Sequence, residues 1–141
     1  DITSVAALLT AAGYRTGLVG KSHFKSCERP GSFEAPPRSR DWDHFRKWSG
    51  PWFGFQHARL AIGHGSEDHA YAMHYGLFLK EHGIPPEPPY FGALEPGWDW
   101  ALPEKFHSST WVADEAIAFL DKPSDAPFFL SVNFPDPHVP F

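Results

Sequence analysis

The sequence contains little cysteine, no excess of basic residues and no long apolar run. Cys27 is the one cysteine among 141 residues, so no internal disulfide can form, and the compartment is not identified by it. Lys and Arg number 12 against 17 Asp and Glu, a net charge of −5 with no basic stripe for nucleic-acid phosphates. No segment approaches the roughly 20 apolar residues of a membrane span, and no signal-peptide pattern is visible. We therefore expect no nucleic-acid partner and no membrane partner.

Proline, glycine and aromatic residues are plentiful instead, with 15 Pro, 12 Gly and 16% Phe, Trp and Tyr. This composition predicts a globular chain with long irregular segments. Three zones follow: residues 1–27 are regular, residues 28–107 form an irregular insertion rich in Pro and aromatics, and residues 108–141 are regular again. The chain starts at Asp1 without Met and stops at Phe141, so we expect an internal part of one larger domain.

The first zone has the pattern of a helix followed by a strand. Ser4 is a suitable N-cap, and Gly13 suits the left-handed position after a helix. The predicted buried stripe consists of Val5, Leu8, Leu9 and Ala12. The short apolar run at residues 16–19 predicts a buried strand that ends at Gly20.

The last zone repeats this order. A helix is predicted to begin at Ser109 or Thr110, with an inner face formed by Val112, Ala113, Ala116, Ile117 and Leu120. The nearly continuous apolar run at 128–134 is typical of a strand covered on both faces in a parallel sheet. In the middle zone, we predict one more strand within 53–62 and a helix over 68–82. The alternation of helices and apolar strands favours an α/β layered fold.

Charged and protonatable side chains follow the two strands directly. Lys21 and His23 come just after the first strand, and His138 comes just after the strand of the last zone. Ligands of open α/β sheets bind outside the carboxyl ends of the strands. If the strands are parallel, these three residues converge on one edge. A fixed positive charge beside two proton donors suits an anionic, tetrahedral ester.

Two blocks of the sequence resemble signatures of the sulfatases. Residues 4–24, SVAALLTAAGYRTGLVGKSHF, resemble the family's AGYxTxxxGKxH block, and residues 127–141, PFFLSVNFPDPHVPF, resemble its PFFLxxxFxxPHxPF block. Between them, residues 107–120 resemble the helix that precedes the second block. Order and spacing agree, so the resemblance spans the chain and is loosest over residues 27–106.

The resemblance implies an alkaline-phosphatase-like fold, a partial α/β/α sandwich with a mainly parallel sheet. It also implies a formylglycine nucleophile and a Ca2+ ion that holds the sulfate. Lys21 would contact a sulfate oxygen and neutralise its charge. His23 would hydrogen-bond the formylglycine hydroxyl and help to expel sulfate, and His138 would face the bridging oxygen. Relatives are often secreted, periplasmic or lysosomal, which leaves the localisation of this chain unknown.

The sequence also departs from the family pattern. The Cys/Ser-x-Pro/Ala-x-Arg motif that supplies the nucleophile is absent, and the surroundings of Cys27 do not match it. The aspartate pairs expected before and after this region are missing too. We therefore expect the nucleophile and the metal ligands to lie outside this chain, which alone would not hydrolyse sulfate esters. Ser22 stands where many relatives have Trp, so the substrate is less certain.

Several other residues have two interpretations. His107 and Asp136 are candidate substrate contacts, but a cap or a surface position at the helix start is the simpler explanation of His107, and a stabilised turn is the simpler explanation of Asp136. His64, His69 and His74 are spaced by five residues and not by the four that align helical metal ligands, so no metal site is expected there. The aromatic residues of the middle zone either wall a substrate cleft or pack together: Trp42, Trp48, Trp52, Phe53, Phe55, Trp98 and Trp100.

The sequence thus predicts part of a hydrolase for a small-molecule or carbohydrate sulfate monoester. A phosphodiesterase or phosphonate monoester hydrolase of the same superfamily is one alternative. A non-catalytic oxyanion- or sugar-binding module is another, because the nucleophile motif is missing. Apolar edges of an incomplete sheet also predict self-association.

Overall fold

A parallel sheet of three strands organises the part of the chain that the computed structural model describes, residues 3–63, 67–86 and 102–137. The strands are β1 (Arg15–Lys21), β2 (His57–Ala61) and β3 (Phe128–Asn133). Their order is β2-β1-β3, and both pairings are parallel. The predicted α/β fold with a parallel sheet is therefore confirmed.

Five α-helices accompany the sheet in the described residues: α1 (Val5–Ala11), α2 (Trp42–Lys47), α3 (Glu67–Ala70), α4 (Met73–Glu81) and α5 (Ser108–Leu120). Short 3-10 turns occupy Arg38–Arg40 and Glu104–Phe106. Helix α1 begins as predicted, because the Ser4 hydroxyl accepts a hydrogen bond from the Ala7 amide at 3.1 Å. Within the described ranges, no helix is both long and apolar enough to cross a membrane.

Apolar side chains on both faces of the sheet are buried. Leu18 and Leu60 join a cluster with α1, α2 and α4, whereas Val19 and Ala61 join a second cluster with α4 and α5. Complete burial of a leucine side chain contributes about 1.5–3 kcal/mol. Arg59 on β2 forms a two-bond ion pair with Glu115 on α5, with N–O distances of 2.6 and 2.9 Å. The sheet therefore lies between two layers, and α5 is fixed against β2.

The predicted buried stripe of α1 is wrong. Val5 and Leu8 are 59% and 60% exposed, and Ala6 is the buried residue of the helix. The reason is a polar contact that periodicity does not show. The hydroxyls of Ser4 and Thr10 donate to the carbonyls of Phe53 and Gly54, which turns the side of the helix that carries Ala6 inward.

The prediction that the last strand is covered on both faces is also wrong for the described residues. Phe128 is 52% exposed and Val132 is 37% exposed, because β3 is the outer strand and pairs only with β1 there. The central strand β1 does fit this pattern, since Leu18 and Val19 are fully buried. An exposed apolar edge strand is the feature expected to self-associate, and that stays a prediction.

The described part of residues 28–107 contains several regular elements. This zone holds β2, which confirms the strand expected within 53–62, and it holds helices α2 and α4. The helix expected over 68–82 is split into α3 and α4. The break between the two helices lies just before Met73, whose φ is 56°. The backbone of Tyr71 lies so close to Gly76 that a β-carbon on residue 76 would clash with it.

Most of the described aromatic residues of this zone pack together. Trp48 and Trp52 contact Phe33, with ring centroids 5.2 and 4.6 Å away. All three pack against the buried cluster that contains Phe45, Leu18 and Leu60. Phe55 stacks on Phe129 of β3. These contacts show that packing is one role of the aromatic residues, while Trp48 also lines a cavity of about 580 Å³. Trp98 and Trp100 lie outside the described residues.

Candidate functional site

The carboxyl ends of the strands meet at one edge because the strands are parallel. Lys21, half-buried, ends β1, and Asn133 ends β3 beside it. The side-chain amide of Asn133 donates to the Lys21 carbonyl at 2.9 Å. A β-carbon at Gly63, just past β2, would lie 4.0 Å from Lys21 Nζ. The ammonium group of Lys21 is thus placed at the edge shared by all three strands.

Gly20 allows β1 and β3 to approach closely at this edge. Its φ is 96°, and a β-carbon there would lie 2.0 Å from the Asn133 carbonyl oxygen. The sequence pattern placed the end of the strand at Gly20, but β1 continues to Lys21. The glycine is needed for close approach and not for termination.

His23 lies in the loop that follows β1, and its side chain is exposed. Its φ of 48° is in the left-handed region, which is uncommon for a residue with a β-carbon. The ring atom Nε2 lies 3.5 Å from Cys27 Sγ. His23 therefore lies in the loop that leaves this edge of the sheet directly after Lys21. That the two side chains act together stays a prediction.

Cys27 has the environment of an unreactive thiol. Burial is the largest cause that raises the pKa of this thiol, and the charges of Glu28 and Glu34 raise it further. A protonated thiol is a weak nucleophile and a weak metal ligand. The raised pKa thus favours the protonated thiol, and the sequence around Cys27 does not match the family's nucleophile motif.

The loop after β1 is held by Glu34, a residue that the sequence analysis missed. Its carboxylate accepts hydrogen bonds from the Ser22 hydroxyl and from the amides of Phe24 and Lys25, the latter two at 3.1 Å. Glu34 is 0% exposed. A signal was present, since Glu34 lies between Phe33 and Ala35 in an apolar surrounding, but one acidic residue does not reveal its partners.

A cavity of about 340 Å³ lies next to this loop. Its lining includes the cationic side chains of Lys25 and Arg29 together with Ser26 and Ser32. The Ser32 hydroxyl is buried and has no hydrogen-bond partner among the described residues. The surroundings of the loop are thus polar and positively charged, which favours an anionic ligand.

His107 and Asp136 meet at the start of α5. The ring atom Nδ1 of His107 accepts from the Ser109 amide at 3.1 Å, so His107 is the N-cap that was predicted at Ser109 or Thr110. One carboxylate oxygen of Asp136 accepts from the hydroxyls of Ser108 and Ser109, both at 3.1 Å. These bonds attach the loop after β3 to α5. Contact of either residue with substrate stays a prediction.

His138, the third predicted catalytic residue, lies outside the described residues, and so does His64. His74 is fully buried and uses both ring nitrogens, since Nδ1 accepts from the Leu60 amide and Nε2 donates to the Trp48 carbonyl. Burial lowers its pKa to about 3. His74 therefore supports β2 and is unavailable to a metal.

The described residues do not fit the Ca2+ ion that the resemblance implies. Across residues 3–63, 67–86 and 102–137, no group of three or more His, Cys, Asp or Glu side chains could hold a metal ion. Oxygen ligands in larger number are what calcium requires. The chemistry of this edge is therefore derived from Lys21 and His23 alone.

Comparison with known proteins agrees with the fold. No curated protein was found to match the sequence. A family model described as Sulfatase matches residues 1–141, which is the whole chain. The three-stranded parallel sheet is consistent with the alkaline-phosphatase-like fold of that family. The chain therefore belongs to the sulfatase family of hydrolases.

Proposed function

We propose that this chain is part of a sulfuric-ester hydrolase and that it supplies Lys21, His23 and His138 to the site where a sulfate monoester is cleaved. The observation that carries the proposal is the position of Lys21 and His23 at the carboxyl edge of a parallel sheet. Ligands of such sheets bind at this edge. The positive side chains around the neighbouring cavity give further support.

Each residue has a chemical task in this proposal. Lys21 neutralises charge on a non-bridging sulfate oxygen, which increases in the transition state. His23 holds or transfers a proton at the atom that attacks or leaves the sulfur. His138 protonates the bridging oxygen as the alcohol departs. The alcohol would belong to a small molecule or a carbohydrate.

Sulfatases are generally metal-dependent, and the family resemblance implies Ca2+ and formylglycine. Ca2+ would hold the sulfate group, and formylglycine would supply the nucleophile. Neither the formylglycine motif in the sequence nor a metal-ligand cluster in the described residues is present. We therefore propose that the 141-residue chain alone is inactive, and a robust sulfatase signal from this chain would overturn that statement.

The product of the complete gene tests the function. It is assayed on a sulfate monoester and on a phosphate diester with the same leaving group. We expect kcat/KM to be higher for the sulfate ester, and to fall by about 10²–10³-fold in Lys21→Ala. A loss of about 10²–10⁴-fold is expected in His23→Ala.

Lys47→Ala is the matched control, since Lys47 is an exposed lysine on α2. We expect its activity to equal that of the wild type. Faster hydrolysis of the phosphate diester would favour the phosphodiesterase alternative. Binding of sulfate without turnover of either ester would favour a non-catalytic module.

A further inference from the structure

Glu34 is a buried acid with no contact to solvent, so the reason for its position has to lie in the residues that it binds. A carboxylate is rarely buried completely unless donors satisfy it. Here one oxygen accepts from the Ser22 hydroxyl and the Phe24 amide, and the other accepts from the Lys25 amide. All three donors belong to the loop after β1.

These donors bracket His23 on both sides. Ser22 precedes it, and Phe24 and Lys25 follow it, so the carboxylate holds the Ser22 side chain before the histidine and the backbone of the two residues after it. The left-handed φ of 48° at His23 is a strained conformation that persists only when the surroundings enforce it. The hydrogen bonds of Glu34 provide that enforcement.

Ser22 is part of the same arrangement. It is 8% exposed, and its hydroxyl lies close enough to Glu34 for a hydrogen bond within the interior. The small side chain of Ser22 leaves the Glu34 carboxylate next to the loop backbone. Ser22 and Glu34 therefore act as one unit.

We propose that the Ser22–Glu34 pair is a positioning device that sets the direction of the His23 imidazole at the sheet edge. Glu34 does not touch substrate, because it is fully buried. The catalytic part of this inference rests on the proposed function, since it requires His23 to act in ester cleavage. The structural part requires only that the loop depends on Glu34.

Kinetics of the complete gene product test the catalytic part. We expect kcat per folded protein to fall about 10²-fold in Glu34→Ala, with KM changed much less, because a misplaced catalytic group lowers the rate to this extent. Glu34→Gln keeps the oxygen that binds Ser22 and Phe24 but opposes the Lys25 amide with another donor. Its loss is therefore expected to be smaller than that of Glu34→Ala.

Two further variants separate positioning from folding. Ser22→Ala is expected to lower kcat, and the Ser22→Ala/Glu34→Ala double variant to be no slower than Glu34→Ala, because the two residues share one interaction. Glu28→Gln, at an exposed acid of the same loop, is the control and is expected to leave kcat unchanged. Equal loss in Glu28→Gln, or a kcat in folded Glu34→Gln and Glu34→Ala that equals the wild type, would overturn the proposal.

A readout without activity keeps the two hypotheses distinguishable. In NMR spectra of the protein, the amide protons of Phe24 and Lys25 and the ring protons of His23 are expected to shift in Glu34→Gln. They are expected to stay in place in Glu28→Gln. Unchanged signals in Glu34→Gln would overturn the positioning role even in an active sulfatase. If the wild type cleaves no sulfate ester but the signals shift, the proposed function fails and the structural role of Glu34 stands.

Discussion

The loop after β1 and the loop after β3 leave the sheet at the same edge, but they are anchored differently. The first is held by Glu34, a buried acid that lies 9 to 12 residues from its partners along the chain. The second is held by Asp136, a half-buried acid inside the loop, whose partners Ser108 and Ser109 lie 28 and 27 residues away. One anchor is local and the other is long-range.

The difference teaches which loop depends on the packing of the whole molecule. The Glu34 bonds join residues within the segment 22–34, so they do not involve α5 directly. The Asp136 bonds need α5 to be seated on the sheet, because Ser108 and Ser109 begin that helix. A substitution that disturbs the contact between β1 and β3 should therefore increase local unfolding of residues 134–137 more than that of residues 22–25.

The largest expected effect on stability is at Gly20, which packs against Asn133 where the two strands end. In Gly20→Ala the β-carbon would meet the Asn133 carbonyl at 2.0 Å, and the residue would keep a φ of 96°. We expect the free energy of unfolding to fall by about 3 kcal/mol or more, because backbone strain is added to a clash with backbone. Chemical denaturation followed by circular dichroism measures it.

Gly13→Ala is the matched control. Its φ of 88° resembles that of Gly20, but nothing lies within 4 Å of the added carbon. We expect a loss of about 1 kcal/mol, from backbone strain alone. Equal losses in the two variants would show that close approach of β1 and β3 contributes nothing at this edge.

How far the sequence predicts this molecule differs between elements. The helix at Ser4, the parallel strands and the place of Lys21 at a strand end follow from local patterns, because capping, apolar runs and strand ends are short-range features. The exposed side of α1 does not follow. It is decided by hydrogen bonds from Ser4 and Thr10 to a turn more than forty residues away.

The site shows the same division. Lys21 and His23 were predicted from their places after a strand, but the residues that hold them were not. Glu34 and Asn133 are an acid and an amide whose partners become neighbours only when the chain folds. Contacts made by single side chains leave no periodic signal, so the sequence did not reveal the residues that hold Lys21 and the loop of His23.

The next prediction concerns the pH dependence of stability. Strand β2 is held by the imidazole of His74 and not by a carboxylate. His74 has its pKa lowered to about 3, mainly by burial, against an ordinary value of 6.5. It stays neutral in the folded protein, while the unfolded chain takes up a proton below pH 6.5. We expect the free energy of unfolding to decrease as pH falls from 6.5 towards 3, by up to about 1.4 kcal/mol per pH unit from this group.

Urea unfolding at several pH values measures this slope. His74→Gln removes the imidazole, and its slope between pH 6.5 and 4 is expected to be shallower than that of the wild type. His82→Gln, at an exposed histidine that ends α4, controls for the loss of a ring and should retain the wild-type slope. An unaltered slope in folded His74→Gln would assign the acid sensitivity to other groups.

A smaller effect is expected at Asp136, the long-range anchor. Asp136→Ala removes the acceptor of two hydroxyls and an acid near the start of α5, so we expect a loss of about 1–2 kcal/mol. Amide hydrogen exchange should speed up at 108–110 and at residues 134 and 136, and not at 22–25. Asp125→Ala, at an exposed acid of the linker before β3, is the control. Faster exchange at 22–25 would contradict the separation of the two anchors.

The smallest effect should come from Asn133, the direct link between the strand ends. Asn133→Ala removes the hydrogen bond from the side-chain amide to the Lys21 carbonyl, so we expect the free energy of unfolding to fall by about 1 kcal/mol. Asn133→Asp sets an oxygen against that carbonyl, so it should be less stable than Asn133→Ala. Ser131→Ala removes only the hydroxyl that donates to the Asn133 side chain and should cost less than either. If Asn133→Asp is as stable as the wild type, the amide is not what joins the ends, and the close approach at Gly20 alone holds β1 against β3.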